Sequence, residues 1–158
     1  MDPARLARAA AFGAAALLGG CPEPAPSVEP ILPRDYLDTF LEVRDCRQSG
    51  DHDLERVRVL ADPAAHGPYV NRDAPFPPGS IVVKEQYEFG DLECSGPILR
   101  WTVMRRLEDG EDPAFLDWEW QEIDADFEVV EPERAYECVN CHERCEGPGA
   151  YMGTCTEE

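Results

Sequence analysis

The chain has 158 residues and a formal charge of −19 at pH 7, with 33 acidic against 14 basic side chains. This composition excludes a nucleic-acid-binding role, because phosphate recognition needs clustered Lys and Arg. An acidic surface suits docking to a basic redox partner protein, although it can also serve solubility alone.

Residues 1–20 have the pattern of an export signal. Two arginines precede the apolar residues 9–18, which are too few to span a bilayer. The segment ends in the sequence LGGC at residues 18–21, which resembles the lipobox of bacterial lipoproteins. That resemblance implies cleavage before Cys21 and a lipid anchor on its thiol, and Pro22 in place of aspartate favours the outer membrane, with the domain in the periplasm or at the cell surface. The alternative is an ordinary secretory signal and a structural cysteine.

Residues 21–33 are predicted to form a tether that begins at the acylated cysteine. Five prolines within residues 22–33 prevent a helix or a central strand and favour an extended segment. Residues 34–158 have the size of one ordinary domain. We therefore expect a leader, a tether and a single domain, with the membrane contacted only through the lipid anchor.

The pattern of this domain predicts a mainly β (α+β) fold, an antiparallel β-sheet with a few short helices. A short helix is predicted over Asp35–Glu42, and a second begins at Asp62, where a capping residue precedes proline. Alternating or β-branched segments predict strands at residues 56–59, 80–87, 98–104 and 118–129. Because these strands lie close together in the sequence, antiparallel pairing is expected.

The sequence CVNCH at residues 138–142 follows the last predicted strand. This spacing is typical of a c-type haem attachment site, in which Cys138 and Cys141 form thioethers to the porphyrin vinyls and His142 binds the iron. A CxxC disulfide and half of a zinc site are the alternatives. Structural zinc needs about four ligands, usually from two such pairs, and no second CxxC occurs in the sequence. We therefore predict covalently bound haem c near the C-terminus, with His142 as the axial ligand.

Four of the seven cysteines remain after Cys21 and the motif: Cys46, Cys94, Cys145 and Cys155. An even remainder in an exported domain predicts two disulfides. Four cysteines allow three pairings, among which sequence alone does not choose. We favour Cys46–Cys94 together with Cys145–Cys155, the second of which would close a small loop across the turn at residues 147–149.

Several stretches of the domain together resemble the cytochrome P460 family, which includes the cytochromes c′-beta. They lie at residues 58–63, 76–85, 117–120 and 138–142. The resemblance covers about residues 34–145, and the sequence GSIVVKE is its most specific part. It implies an antiparallel β domain, usually a homodimer, that contains a five-coordinate haem with an open distal side.

The same resemblance implies two functions. Enzymatic members oxidise hydroxylamine, and their haem carries an extra covalent bond to a lysine of the VxVKE strand, which maps onto Lys84. Cytochromes c′-beta lack this bond and bind small gases. We therefore expect the iron to bind hydroxylamine or a similar small nitrogen compound, or else nitric oxide or carbon monoxide. A simple electron carrier with Met104 or Met152 as the sixth iron ligand is a third alternative.

Lys84 is the only lysine of the chain, against thirteen arginines. Arginine stays protonated at ordinary pH, whereas a desolvated lysine can become a nucleophilic amine. On an alternating strand, Lys84 shares a face with Val82 and Gln86, and Glu85 points to the other face. Lys84 is therefore the candidate for a haem crosslink or haem contact. Candidates for the distal wall are Phe76, Phe89, Trp101, Met104 and Phe115.

Overall fold

The structure, a computed structural model, describes residues 28–50, 55–130, 134–145 and 148–155. The predicted leader, Cys21 and the first part of the predicted tether lie outside these residues. The strands are β1 (Leu41–Gln48), β2 (Arg56–Ala61), β3 (Ile81–Tyr87), β4 (Arg100–Arg106) and β5 (Trp118–Asp124). The helices are α1 (Pro63–Asn71) and α2 (Arg134–His142), and short 3-10 turns lie at Tyr36–Asp38, Pro113–Phe115 and Pro148–Gly153.

The five strands form one sheet in the order β1-β2-β3-β4-β5. Each strand pairs antiparallel with the next strand along the chain, which is the simplest arrangement for strands joined by short connections. The prediction of a mainly β fold with an antiparallel sheet and short helices is confirmed.

The sheet has two faces, each with its own apolar cluster. One face, which we call the motif face, is covered by α1 and α2, and its buried residues are Val59, Ala61, Ala65, Tyr69, Phe76, Val82, Met104, Trp118, Trp120 and Val139. The buried residues of the opposite face are Leu32, Tyr36, Phe40, Leu60, Val83, Val103 and Ile123. Because side chains alternate along a strand, Lys84 belongs with Val82 to the motif face, and Glu85 belongs with Val83 to the opposite face.

The predicted helix over Asp35–Glu42 is wrong beyond a single turn. Tyr36 and Phe40 have the spacing of a helical face, and both are buried against the sheet with their ring centroids 5.9 Å apart. One turn is enough to bring them together, since the Phe40 amide already donates to the Tyr36 carbonyl at 2.8 Å. The chain then enters the edge strand β1, whose polar sequence lacks the alternation that would predict a strand.

The last predicted strand, 118–129, is too long. Strand β5 ends at Asp124, whose Oδ1 accepts hydrogen bonds from the backbone amides of Asp126 and Glu128, both at 3.0 Å. An aspartate that binds the backbone two residues on promotes a turn, and Phe127 has a positive φ of 64°. The chain therefore reverses its direction, and Val129 pairs antiparallel with Ile123 of β5.

Helix α1 begins as predicted. The Asp62 side chain accepts a hydrogen bond from the Ala65 amide at 2.6 Å, and Pro63 occupies the first helical position. This side chain satisfies one of the amides that have no partner within the helix, so the sequence signal for the helix start is confirmed.

Two disulfides join Cys46 to Cys94 and Cys145 to Cys155, which is the pairing that we favoured from the sequence. The first connects the edge strand β1 to the loop after β3, and the second closes a loop directly after α2. Within the described ranges, the helices are too short or too polar to cross a membrane.

The folded contacts begin before residue 34. The Ile31 amide donates to Gln121 Oε1 at 2.8 Å, and Gln121 Nε2 donates to the Glu29 carbonyl at 3.1 Å. Leu32 is buried on the opposite face of the sheet. The end of the predicted tether is thus part of the packed structure.

Candidate functional site

Helix α2 packs against β5 on the motif face of the sheet and carries the CVNCH motif. Val139 is buried on the side of the helix that faces the sheet. Cys138 is half-buried at the edge of the apolar cluster of the motif face, whereas Cys141 is exposed. Cys138 and His142 are one helical turn apart and therefore lie on one side of α2. The four other cysteines among the described residues form the two disulfides, and both motif thiols are free. The motif thus presents two available thiols and one imidazole on a short helix.

The ring of His142 is held in a fixed orientation. Its Nδ1 contacts the backbone carbonyl oxygen of Gly153, and its ring lies edge-to-face against Trp120 with centroids 4.7 Å apart. A carbonyl can only accept a hydrogen bond, so Nδ1 carries the proton and Nε2 carries the lone pair that can bind a metal. Burial lowers the pKa of His142 to about 4, which keeps the ring in the neutral form that a metal requires.

Lys84 lies on the same face of the sheet as the motif, although it is distant from it in sequence. It is half-buried on β3, between Val59 of β2 and Thr102 of β4. Burial is the main cause that lowers the pKa of His142, and the positive charge of Lys84 lowers it further. The fold therefore brings the single lysine within electrostatic reach of the histidine.

Two oppositely charged side chains of the sheet shift the pKa of the Cys138 thiol. Burial raises its pKa to about 11, the carboxylate of Glu122 raises it further, and Lys84 lowers it. Glu122 lies opposite Thr102 on β5, so that Lys84, Thr102 and Glu122 form one row across three strands. This polar row interrupts an otherwise apolar face beside the motif.

Aromatic side chains form the walls around the motif. Trp118 Nε1 donates to the Met152 carbonyl at 2.8 Å, and Trp120 Nε1 donates to the Phe115 carbonyl at 3.0 Å. Both indoles are buried and both have their single donor satisfied, as buried tryptophans usually do. These bonds fix the loops that border α2 to strand β5.

Two open clefts flank the motif. One has a volume of about 350 Å³ and is lined by Arg106, Pro113, Leu116, Asp117, Met152 and Gly153. The other has a volume of about 250 Å³ and is lined by Leu107, Asp112, Phe115, Trp118, Glu119 and Trp120. Neither cleft is lined by Lys84 or by the motif. A bound cofactor is therefore indicated by the thiols and the imidazole of the motif, and not by these clefts.

The candidates for the distal wall separate into two groups. Phe76, Met104 and Phe115 belong to the motif face together with Lys84. Trp101 packs on the opposite face against Phe127, and Phe89 is 57% exposed. Trp101 and Phe89 therefore cannot line a site at the motif.

Sequence reasoning missed the role of Gly153. A backbone carbonyl leaves no side-chain signal in a sequence, and only the folded loop reveals that it reaches His142. The only sequence signal was that Gly153 lies between Cys145 and Cys155. The disulfide between these two cysteines closes the loop that contains Gly153 onto α2.

The donor groups fit a covalently attached haem. Two free thiols and a neutral imidazole with its Nδ1 already bound to a carbonyl are the groups that such a cofactor needs. Within the part of the chain that the structure describes, no three His, Cys, Asp or Glu side chains cluster as a metal-ion site would require. No family model matches the chain, and no curated protein gave a significant match.

Proposed function

We propose that this protein is an exported c-type haem protein. Cys138 and Cys141 would hold the porphyrin through thioethers, and His142 Nε2 would bind the iron. The observation that carries the proposal is the contact between His142 Nδ1 and the Gly153 carbonyl. Histidines that bind metals usually donate their other ring N–H to a carbonyl or a carboxylate, and His142 already has this second partner.

The position of Lys84 supports a specialised haem over a simple electron carrier. The positive charge of Lys84 lowers the pKa of both Cys138 and His142, so Lys84 would be close to a haem that those two residues hold. The resemblance to the cytochrome P460 family assigns the haem-bonded lysine to this position. We therefore propose that Lys84 contacts the haem, and that a covalent bond between them distinguishes an enzyme from a gas-binding protein.

The activity that we propose is oxidation of hydroxylamine or a similar small nitrogen compound. Bound haem c supplies the one-electron redox chemistry and an iron that binds the substrate. Burial keeps the His142 ring neutral, and a backbone hydrogen bond orients it. Strand β3 keeps Lys84 on the face of the sheet where His142 lies. The electrons that the substrate loses would pass to a basic redox partner, since the chain is strongly acidic, and the protons would pass to water.

A second function, binding of nitric oxide or carbon monoxide, is favoured by the apolar residues that flank Lys84 on the motif face. Its neighbours Val59 and Val82 are buried, and Met104 lies beside them on the same face. Apolar side chains beside a bound ligand favour binding of a neutral gas over activation of a substrate. In this case Lys84 would contact the haem without a covalent bond.

The cell envelope is the proposed location. Two disulfides are typical of proteins that fold in an oxidising compartment. Such a compartment is also where the predicted export signal and the lipid anchor at Cys21 would place the domain.

The test is attachment of haem and turnover in the full chain, produced in a host that attaches haem c. We expect the denatured protein to keep one covalent haem and the Cys138→Ala/Cys141→Ala variant to lose it. The matched control, Cys46→Ser/Cys94→Ser, should retain the haem because its cysteines lie away from α2. Hydroxylamine consumption with an artificial electron acceptor would identify the enzyme, and tight gas binding without turnover would identify the second function. Wild-type protein that carries no covalent haem would contradict the proposal.

A further inference from the structure

We propose that Gly153 is a positioning residue for the axial ligand His142, and that the Cys145–Cys155 disulfide holds it in place. This inference rests on the proposed function, because it concerns the ligand of a bound haem. It goes beyond that function by assigning a role to one glycine and one disulfide that lie outside the CVNCH motif.

The contact itself is the first step. The Gly153 carbonyl accepts the hydrogen bond of His142 Nδ1. An acceptor on the second nitrogen fixes the ring orientation and raises the basicity of the nitrogen that binds the metal. A more basic axial ligand favours ferric over ferrous iron, so a stronger hydrogen bond at Nδ1 lowers the reduction potential. A backbone carbonyl can do this only if the chain holds it at the right place.

The backbone at position 153 requires glycine for two reasons. Gly153 has a φ of +77°, a conformation that side chains disfavour. A Cβ at this position would also lie 3.1 Å from Leu116 Cδ1. Alanine would therefore strain the backbone at this φ and press on the Leu116 side chain, and we expect the loop to relax and the carbonyl that faces His142 to move with it.

Residues 151–155, which we call the clamp loop, are attached to the rest of the protein on both sides of Gly153. The Met152 carbonyl accepts from Trp118 Nε1 at 2.8 Å, which ties the loop to β5. Cys155 is bonded to Cys145, directly after α2. The clamp loop is thus connected to the sheet on one side of Gly153 and to the helix of His142 on the other.

The clamp loop is also ordered internally. Thr154 is buried, and both its amide and its hydroxyl donate to the Tyr151 carbonyl, at 3.1 and 2.8 Å. These bonds make a tight turn around Gly153, so the disulfide holds a compact unit. Without the disulfide, the end of this unit is connected to α2 only through the intervening backbone, and water can replace the carbonyl at His142.

The test compares three haem-loaded full-length proteins: wild type, Cys145→Ser/Cys155→Ser and the control Cys46→Ser/Cys94→Ser. We would measure the Fe(III)/Fe(II) midpoint potential and, by resonance Raman spectroscopy of the ferrous protein, the iron–histidine stretching frequency. The Cys145→Ser/Cys155→Ser variant should shift to a more positive potential and a lower frequency, because the ligand becomes less basic. The control, which loses a disulfide remote from α2, should match the wild type in both measurements.

An unchanged potential and frequency in the haem-loaded Cys145→Ser/Cys155→Ser variant would overturn this inference and leave the proposed function intact. Wild-type protein without covalent haem would overturn both. If this variant does not fold, Gly153→Ala provides the same test, because it displaces the carbonyl and leaves the disulfide present. A haem-loaded Gly153→Ala protein with wild-type potential and frequency would then overturn the inference.

Discussion

At the scale of single residues, Lys84 and Glu85 are neighbours in sequence with separate environments. Lys84 faces the motif, and Glu85 is 0% exposed on the other side of the sheet. Glu85 accepts hydrogen bonds from Tyr36 at 2.5 Å, from Tyr87 at 2.7 Å and from Arg58 at 2.7 Å. These bonds hold β3 in register, so the strand alternation keeps Lys84 on the motif face.

Replacement of Lys84 by arginine is the first prediction. Arginine keeps the charge but has no nucleophilic amine. If Lys84 is bonded to the porphyrin, Lys84→Arg should keep the haem at Cys138 and Cys141, absorb like an ordinary c-type haem, and oxidise hydroxylamine about 100-fold more slowly, which is the loss that a small misplacement in an active site can cause. Optical spectra and steady-state rates measure both effects. An unchanged spectrum and turnover in Lys84→Arg would show that Lys84 is not bonded to the porphyrin.

Digestion with a lysine-specific protease tests independently whether the Lys84 amine is bonded to the haem. Because Lys84 is the only lysine, denatured wild-type chain can be cut only there, and a haem-bonded amine should block the cut. Arg105→Lys is the matched control, since it adds a lysine on the other side of the sheet, where cleavage should proceed. Cleavage after Lys84 in haem-loaded chain would show that its amine is free.

The tyrosines bound to Glu85 predict a loss of stability at high pH. Burial, and next the hydrogen bond to Glu85, raises the pKa of Tyr36 and of Tyr87 well above the ordinary value. The folded state therefore keeps these protons longer than the unfolded chain, whose tyrosines titrate near about 10. Their contribution to stability is complete below that pH and should be lost progressively above it.

Urea unfolding at pH 8 to 11 would measure this loss. Tyr36→Phe should reduce the pH dependence and should cost about 1–3 kcal/mol at pH 8, because Glu85 and Trp101 each lose a hydrogen-bond partner. Tyr136→Phe, at an exposed tyrosine, is the control that should behave as the wild type. Equal pH dependence in wild type and Tyr36→Phe would contradict the prediction.

At the scale of elements, α1 depends on Asp62, the capping residue that precedes it. The Asp62 carboxylate caps the helix, and loss of such a cap costs about 1 kcal/mol. Asp62→Ala should therefore lower the free energy of unfolding by about that amount in a denaturant titration. Asp73→Ala, which removes an exposed carboxylate after the helix, should change it by less than about 0.5 kcal/mol. The same loss in both variants would mean that the charge and not the cap matters.

The edge strand β1 depends on the Cys46–Cys94 disulfide. Its sequence has weak strand character, and its pairing with β2 is interrupted by register shifts. The chain-entropy model assigns about 4 kcal/mol to a loop of this length. We expect Cys46→Ser/Cys94→Ser to lose roughly that much stability in guanidinium unfolding. A variant as stable as the wild type would show that β1 needs only its backbone pairing.

At the scale of the whole molecule, residues 29–32 close the opposite face of the sheet. Leu32 is 2% exposed, whereas Leu37 is 59% exposed. Leu32→Ala should cost about 2–4 kcal/mol in denaturant unfolding, as buried leucines do, and the matched control Leu37→Ala should cost less than about 0.5 kcal/mol. A neutral Leu32→Ala would place the start of the domain at residue 34, as the proline-rich sequence predicts.

Much of the fold follows from local patterns. The alternation in β3 and the Asp62-Pro63 helix start were predicted because both depend on neighbouring residues. The helix over Asp35–Glu42 and the long last strand were wrong because tertiary contacts of Tyr36 and the turn at Asp124 override local spacing. Strand β1 was missed because an edge strand held by pairing and a disulfide needs no apolar alternation.

The sequence by itself determined which groups can do chemistry: the CVNCH motif, the single lysine, and an even set of four further cysteines. These depend on residue identity and short spacing, which a sequence displays directly. Only the tertiary structure decided which groups meet. It placed Lys84 within electrostatic reach of Cys138 and His142 and brought the Gly153 carbonyl to the imidazole, because strand pairing and a closed loop join positions that the linear chain keeps apart.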